Sequence, residues 1–591
     1  MQKIIRLLIL ILAGHLCYGN EIDDEKNPIN DFLSALHDVK YVSYNTKDFA
    51  KFLVQCNKAG IPQDFKKGFG PNLNGANFSQ LYLHKSIFDG VSLIGADFSN
   101  TDLSDVSFID VDLRGANFSN ANLHGVKIKG TNLSFSKFAS TNLTDIIFDQ
   151  SNISYADFIN SSLNKVSMCN IIGLHTKFLN VKMNFSNLSN SSASYINFSD
   201  SKINDTVMQK NNFDNASFFG VDAHKLKIQF SSLKNANIYG AEIKKSDFTG
   251  SNLSNAYFNA SIIVNSNFEK ANLSNSQISY VKGSNSNFIK SILNGSKIKH
   301  AYVFEADLQD ADLSNIDFSF SELYKVNAYD ANICHGKFHN TKVVNSDMNG
   351  SFFDHSLFTS AKIEDSDLST TSMYKTKIKD SQIYNSTLSH HNMDSSEIEN
   401  SIFFKLLADN SSWSKSKVTN SNFIESDFKS SVFYDNTFRK TSFFLSNLSN
   451  STISDMSFLS SSIYKSSIAD IHLTDCKFDN SIVIDNQGQT DLEDAITSIE
   501  GLQEKISQGK KFDVNYSYFE FKNMNLENAD FSNSILSRAK FVNVNLNKAN
   551  LEKTDLRYTV FDNSSLVGTN LSNANLEGSS PLNFDSKNTK S

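Results

Sequence analysis

From Leu73 onward every fifth residue is apolar, beginning Leu73, Phe78, Leu83, Phe88, Leu93 and Phe98, and the register runs without a slip to Val483. Of the 83 positions in this register, 77 are large and apolar, four are Ala (Ala193, Ala223, Ala328, Ala408), two are Gly (Gly173, Gly283) and none is charged. A chain that is 40% hydrophobic does not produce such a run by composition. A period of five matches neither the 3.6 of a helix nor the 2.0 of a flat strand. It requires a chain that turns a corner once per repeat and buries one large side chain each time.

A small or β-branched residue stands two positions before most centres, as in Ala116-Asn117-Phe118-Ser119-Asn120 and Ala121-Asn122-Leu123-His124-Gly125. Asn or Asp commonly precedes the centre, and Ser or Thr commonly follows it. The pattern resembles the pentapeptide-repeat family, whose motif reads Ala-Asp/Asn-Leu/Phe-x-x. The resemblance implies an all-β fold, a right-handed quadrilateral β-helix with four repeats, hence twenty residues, in each coil. At ~4.8 Å between strands, the run gives about 21 coils and a rod roughly 100 Å long. No coil can bury its core alone, so stability comes from stacking. A twenty-residue winding places Phe78, Phe98, Phe118, Phe138 and Phe158 in one axial ladder. Trp413 occupies a centre that otherwise takes smaller residues, and overpacking predicts a local bulge there.

Only 4 prolines occur, at Pro28, Pro62, Pro71 and Pro581, so no proline-rich linker divides the repeats. Charged residues make up 20% of the chain, too few for a disordered one. Net charge is −8, and removing Lys3 and Arg6 with a leader leaves −10, from 53 basic and 63 acidic residues. Spread over so long a surface this is a weak field, and it offers no basic groove for nucleic acid. Lys3 and Arg6 flank an apolar run from Ile4 to Leu12, as in a secretory signal with cleavage after Gly19. That run is well short of the ~20 residues of a membrane span. The expectation is an exported protein, periplasmic or secreted.

The expected organisation is a signal peptide over 1–19, a helical cap over 20–70, the β-helix over 71–483, an inserted helix within 484–515, further repeats over 516–578 and a disordered tail over 579–591. In the cap, residues 29–40 and 46–58 read as two amphipathic helices that close the first coil, whose edge needs covering. After Val483 the register breaks and resumes at Phe521, Leu526 and Phe531, ending at Leu576. Between the two runs, Leu492, Ile496, Ile499, Leu502 and Ile506 share a helical face, with Thr490 and Glu493 spaced as a capping box, which predicts a helix of about 16 residues. The expectation is that it lies against the rod while the coils continue beyond it.

Residues twenty apart stack on one outer face, so the sequence maps the surface. One column reads Phe304, Tyr324, Val344, Glu364, Tyr384, Phe404, Ile424, Phe444, Tyr464 and Ile484, nearly all apolar. Large apolar patches mark interfaces. At 1.5 Å per residue, a 16-residue helix of about 24 Å would cover the span from Tyr384 to Ile484. A partner or a second copy of the chain would serve equally. Phe304, Tyr324 and Val344 are expected to stay open in either case, as the leading partner-binding candidates.

Cys334, His335, Asp354 and His355 form a second cluster in which Cys334 stacks on Asp354 and His335 on His355, residue types that can ligate zinc. With 13 His in the chain, stacked pairs also arise by chance, and no metal or other cofactor is expected. No Gly-rich phosphate loop, nucleophile elbow, His-Glu-x-x-His or Cys-x-x-Cys occurs, so no enzymatic activity is expected. Asn-x-Ser/Thr triplets follow from the repeat itself and do not imply glycosylation. Cys169, Cys334 and Cys476 lie at least seven coils apart, over 30 Å at ~4.8 Å per coil, whereas a disulfide needs Cα atoms within ~7 Å. They and Cys56 are expected to be free.

These observations favour a non-catalytic scaffold for an unknown protein partner, able to form a homodimer. The resemblance also brings in the DNA-mimicking, topoisomerase-binding role of some family members, against which the leader and weak charge stand. Carbohydrate binding is a third possibility, because Tyr280, His300 and Phe320 form an outward aromatic column.

Overall fold

The computed structural model describes residues 71–580 except 489–491, 493 and 509–510. The leader, the two cap helices and the tail expected from the sequence lie outside the described residues, save for the two residues before 581. The chain divides into two compact units, with the boundary between Phe178 and Leu179.

In the first unit every coil takes twenty residues. Parallel bridges join Asn77 to Asp97, Asp97 to Asn117 and Asn117 to Lys137. The amide of Phe78 donates to the carbonyl of Asp97 at 2.7 Å, and that of Phe98 to Asn117 at 2.7 Å. Strands are three residues long, as in Ile87–Asp89, Ser107–Ile109 and Lys127–Lys129, which pair in parallel. Only the central residue of each points inward. Phe78 and Phe98 stack at 4.7 Å with planes 4° apart, and Phe88 meets both edge-on at 5.9 Å. The offset of ring quadrupoles favours both contacts, so two aromatic ladders interlock around the axis.

The second unit repeats this plan from Lys182–Asn184 to Ile482–Ile484, with parallel pairing and a constant offset of twenty. Its corners explain the polar part of the repeat. The Asn or Asp before each centre accepts a hydrogen bond from the backbone amide two residues on, as Asn252 does from Ser254 at 3.1 Å. The residue two after the centre takes a left-handed conformation, φ 57° at Asn275 and 58° at Asn315, which suits Asn, Asp and Gly. Aromatic and aliphatic residues also occupy these corners, as at Phe230 (φ 56°) and Leu445 (φ 52°), where the conformation costs roughly 1 kcal/mol or more.

Two corner chemistries coexist. Where the small inward residue is Ala or Val, its amide often closes a turn onto the preceding centre, as Ala236 does onto Leu233 at 3.1 Å. Where it is Ser, that amide is commonly satisfied by the serine twenty residues on: Ser346 donates to Ser366 Oγ at 3.1 Å, and Ser366 to Ser386 Oγ at 3.2 Å. The hydroxyls of this class donate in turn to carbonyls, as Ser366 Oγ does to Glu364. These buried serine ladders supply a partner to amides that would otherwise be orphaned, and an orphan costs on the order of 1–3 kcal/mol.

Trp413 causes no bulge. It is fully buried, and Ser412–Ser414 pairs regularly with Asn392–Asp394 and Val432–Tyr434. The preceding centre of the same coil is Ala408, whose small side chain leaves room for the indole. Below it His391 takes a position normally filled by Ser or Ala, meeting the indole edge-on at 5.3 Å, with Nδ1 against the Leu388 carbonyl. The inserted helix is also shorter than its apolar spacing suggests. Helix α1 spans Ile499–Ser507 and is capped by Ser498, whose side chain accepts from the Gly501 amide. Ile496 is withdrawn from it because it forms a strand bridge to Ile482, its amide donating to the Ser481 carbonyl and its carbonyl accepting from Val483. The edge of the last main coil is covered in this way. Thr490 and Glu493 lie outside the described residues.

Two measurements test this core. Ala408→Leu should destabilise the second unit by about 1–3 kcal/mol through overpacking, seen in denaturation followed by the fluorescence of Trp413. Burial depresses the His391 imidazole to about 4, partly opposed by its contact with the Leu388 carbonyl. The unfolded chain takes up that proton near pH 6.5 and the folded chain does not. The stability from this group is therefore complete above about pH 6.5 and is lost as pH falls toward about 4. His391→Ser should flatten the pH dependence of unfolding in that window, and an unchanged slope would contradict the assignment.

Candidate functional site

The apolar column expected from the sequence exists, with Tyr302–Phe304, Glu322–Tyr324, Lys342–Val344 and their successors paired in register. The coils after α1 do not extend the main stack, contrary to expectation. They turn back and lie along its side. The Asn515 amide donates to the Ser460 carbonyl at 3.1 Å, and its side-chain Nδ2 reaches Asn422 Oδ1 and the Lys440 carbonyl, each at 2.8 Å. Lys440 pairs with Asp513 at 2.6 Å and donates to the Asn533 carbonyl at 2.9 Å, while Lys465 faces Glu520 at 3.5 Å. The physical reason is area. Three coils stacked end-on would leave the column bare, whereas side docking buries it along with one flank of the new coils.

The column is consequently closed at its far end by more than the helix expected there. Phe444 stacks on Tyr518 at 5.2 Å, and Tyr464 packs against Phe519 at 4.4 Å. Ile424, Tyr464 and Ile484 are buried, and Tyr464 and Ile484 share a core with Leu502 and Ile506 of α1 and with Phe512, Tyr516 and Phe521. Tyr384 and Phe404 are half-buried beneath the ammonium groups of Lys362 (5.5 Å) and Lys405 (5.2 Å). Val344 is buried rather than open. It is the shortest side chain of its stretch, and the larger Tyr324 and Glu364 on adjoining coils shade it. Phe304 and Tyr324 remain partly exposed, capped by Lys325 at 5.1 Å and Lys342 at 5.0 Å.

The second cluster stacks as expected but is not assembled as a metal centre. The rings of His335 and His355 are parallel at 4.8 Å. Asp354 is engaged by Ser372 Oγ at 2.6 Å and the Tyr374 amide at 2.9 Å. Burial, with the charge of Asp354 adding to it, raises the Cys334 thiol and disfavours the thiolate a metal needs. Among the described residues no group of three or more potential ligands converges. Cys169, Cys334 and Cys476 are free, and Cys56 lies outside the described residues.

The aromatic column is also real. Tyr280, His300 and Phe320 stack at 4.8 Å with planes 5° and 6° apart. Both faces of His300 and one face each of Tyr280 and Phe320 are thereby taken, so the middle of the column presents edges, not the open faces on which a sugar stacks. A similar run, Phe135, Tyr155 and His175, stands on the first unit. What sequence reasoning missed is why such columns form: these are the left-handed corner positions, legible as every residue two after a centre.

A family model described as pentapeptide repeat region matches residues 70–138, and one described as pentapeptide repeats (8 copies) matches 131–168, 216–255, 251–282, 304–340, 520–552 and 545–580. The chain belongs to the pentapeptide-repeat family. Among solved structures this pentapeptide-repeat protein is similar to HetL of Nostoc sp. strain PCC 7120, involved in heterocyst differentiation regulation, at 14% identity over 37% of this chain and 94% of that one, TM-score 0.24. It is similar to QnrB1, a plasmid-mediated fluoroquinolone resistance protein, at 12% identity over 38% and 97%, TM-score 0.20. A pentapeptide repeat protein of the Arabidopsis thaliana thylakoid lumen aligns at 26% identity over 19% and 76%, TM-score 0.15. No curated protein matches the pentapeptide-repeat chain. Among the described residues no helix is long and apolar enough to cross a membrane.

The side docking rests on Asn515. Asn515→Ala should leave the Lys440 carbonyl and Asn422 Oδ1 unpaired, at about 1–3 kcal/mol for each buried group. Hydrogen exchange should then accelerate over 512–521 while amides of the central coils keep their protection.

Proposed function

We propose that the protein is an exported, non-catalytic scaffold that recognises a protein partner through the part of the apolar column its own C-terminal coils leave uncovered. The observation that carries this reading is the cluster of Tyr302, Phe304 and Tyr324. Tyr302 is 44% exposed and meets Tyr324 at 5.5 Å. Lys325 and Lys342 lie over the rings of Phe304 and Tyr324, and Lys342 also donates to Tyr324 Oη at 2.9 Å. Exposed lysine stems exchange readily with solvent, so a partner can displace them and bury aromatic rings already fixed by the sheet. Binding to a rigid platform avoids much of the ordering cost of association. A second copy of the chain is the alternative occupant.

The DNA-mimic reading has less support. A mimic needs a run of uncompensated carboxylates, whereas here many are interleaved with neutral or basic groups. Asn327 and Asn332 donate to Asp307 and Asp312 of the preceding coil, each at 3.1 Å, and Lys377 and Lys379 pair with Glu397 and Glu399 at 2.9 and 3.0 Å. Export is supported by the basic, apolar leader of residues 3–12.

A photo-crosslinking residue at Tyr302 should give a discrete adduct that disappears in Phe304→Ala/Tyr324→Ala, while one at the exposed Tyr195 should give none. Equal labelling at both positions would reject the patch. Sequencing the mature protein should find its first residue at Asn20, and retention of the leader on a cytoplasmic protein would restore the mimic.

A further inference from the structure

Between the returning C-terminal coils and the flank of the main coils lies a cleft of about 520 Å³, within the size range of small-ligand sites. We propose that it binds a neutral, polyhydroxylated ligand, a segment of an uncharged glycan. One wall is a ladder of side chains twenty residues apart, in which Asn420 donates to Asn400 Oδ1 at 3.2 Å and Asn400 to Asp380 Oδ1 at 3.0 Å. Gln382 stands beside it. The opposite wall carries Asn533, Ser537 and the Asp555–Arg557 pair.

Charge selects the ligand class. Arg557 is held by Asp555 through two contacts of 2.9 Å, Lys440 by Asp513 at 2.6 Å, and Lys553 by Glu552 at 3.0 Å. Each cation in the lining thus has its own carboxylate, and Asp380 is engaged by an amide. A phosphate, a uronate or a metal ion would have to break one of these pairs. Among the described residues the side-chain amides of Gln382 and Asn533 make no internal hydrogen bond, and they line the cleft from opposite walls. An amide offers a donor and an acceptor side by side, which matches adjacent sugar hydroxyls. Apolar contact is limited to the half-buried Ile402 and Ile535, too little for a hydrophobic ligand. A strand-like peptide is disfavoured because the walls present side chains, not a free sheet edge.

The cleft is independent of the Tyr302 patch. The test uses the full chain, titrated by calorimetry with maltohexaose, xylohexaose, mannohexaose and chitohexaose, with hexagalacturonate as the charged comparison. Saturable binding of at least one neutral hexasaccharide is expected below about 10 mM, unchanged by added salt. Gln382→Ala/Asn533→Gly should weaken it at least about tenfold. Glycine keeps the left-handed backbone at 533 (φ 62°), and an unaltered thermal melt shows that the fold is intact. Phe304→Ala/Tyr324→Ala should leave binding unchanged, which separates this site from the proposed partner surface. No binding by any neutral probe, binding unaffected by the double substitution, or salt-sensitive preference for hexagalacturonate would each overturn the proposal. So would a polypeptide captured by a photo-crosslinker at Gln382 in place of glycan.

Discussion

The parallel ladder of backbone hydrogen bonds between residues nineteen or twenty-one apart governs everything else in this molecule. Once amides pair coil to coil, side chains twenty apart are forced into vertical files, and each file must be chemically tolerable when repeated. Inside, that favours stacked aromatic rings and interlocking aliphatic chains. At the small inward position it favours Ala, or Ser with its hydroxyl bridging from coil to coil. Outside, it brings like groups within about 5 Å, where equal charges repel and an amide or an opposite charge is favoured. The pairs Lys325–Glu305, Lys405–Glu425 and Asn447–Asp427 are the same answer given three times.

Much of this was legible in the sequence because the files are one-dimensional. The central residues follow from counting, and with the twenty-residue offset that the family resemblance implies, so do the isolation of the thiols and the apolar column. The errors arose where a contact depends on a second direction. Whether the coils after α1 continue the stack or return along its flank is decided by the area of two faces, and no period encodes that choice. Ile496 fits a helical face, yet the open edge beside Ile482 offers its backbone two hydrogen bonds, and the helix begins later. Trp413 looks too large for a centre until Ala408 is placed next to it within the same layer. Val344 looks exposed until its taller neighbours are counted.

The polar cleft belongs to the same category. Asn400 and Asn420 are unremarkable corner residues in the sequence, and so is Asn533. They become two walls only because the chain folds back, with Lys440 clasped by Asp513 and the Asn533 carbonyl at the point where the walls meet. A surface assembled from two repeat arrays acquires concavity that neither array has alone, and this compensates for the scarcity of long loops in such a fold.

The position of that clasp bears on how the chain can change in length. Inserting or deleting twenty residues among the central coils well before Asp380 would preserve every file and leave the contacts of Asn515, Tyr518 and Phe519 untouched. The same change between Asn422 and Ile484 would move their counterparts by a full layer. Length polymorphism is therefore permitted on one side of the docking point and penalised on the other, so variants of this architecture should differ in span while sharing a fixed terminal assembly.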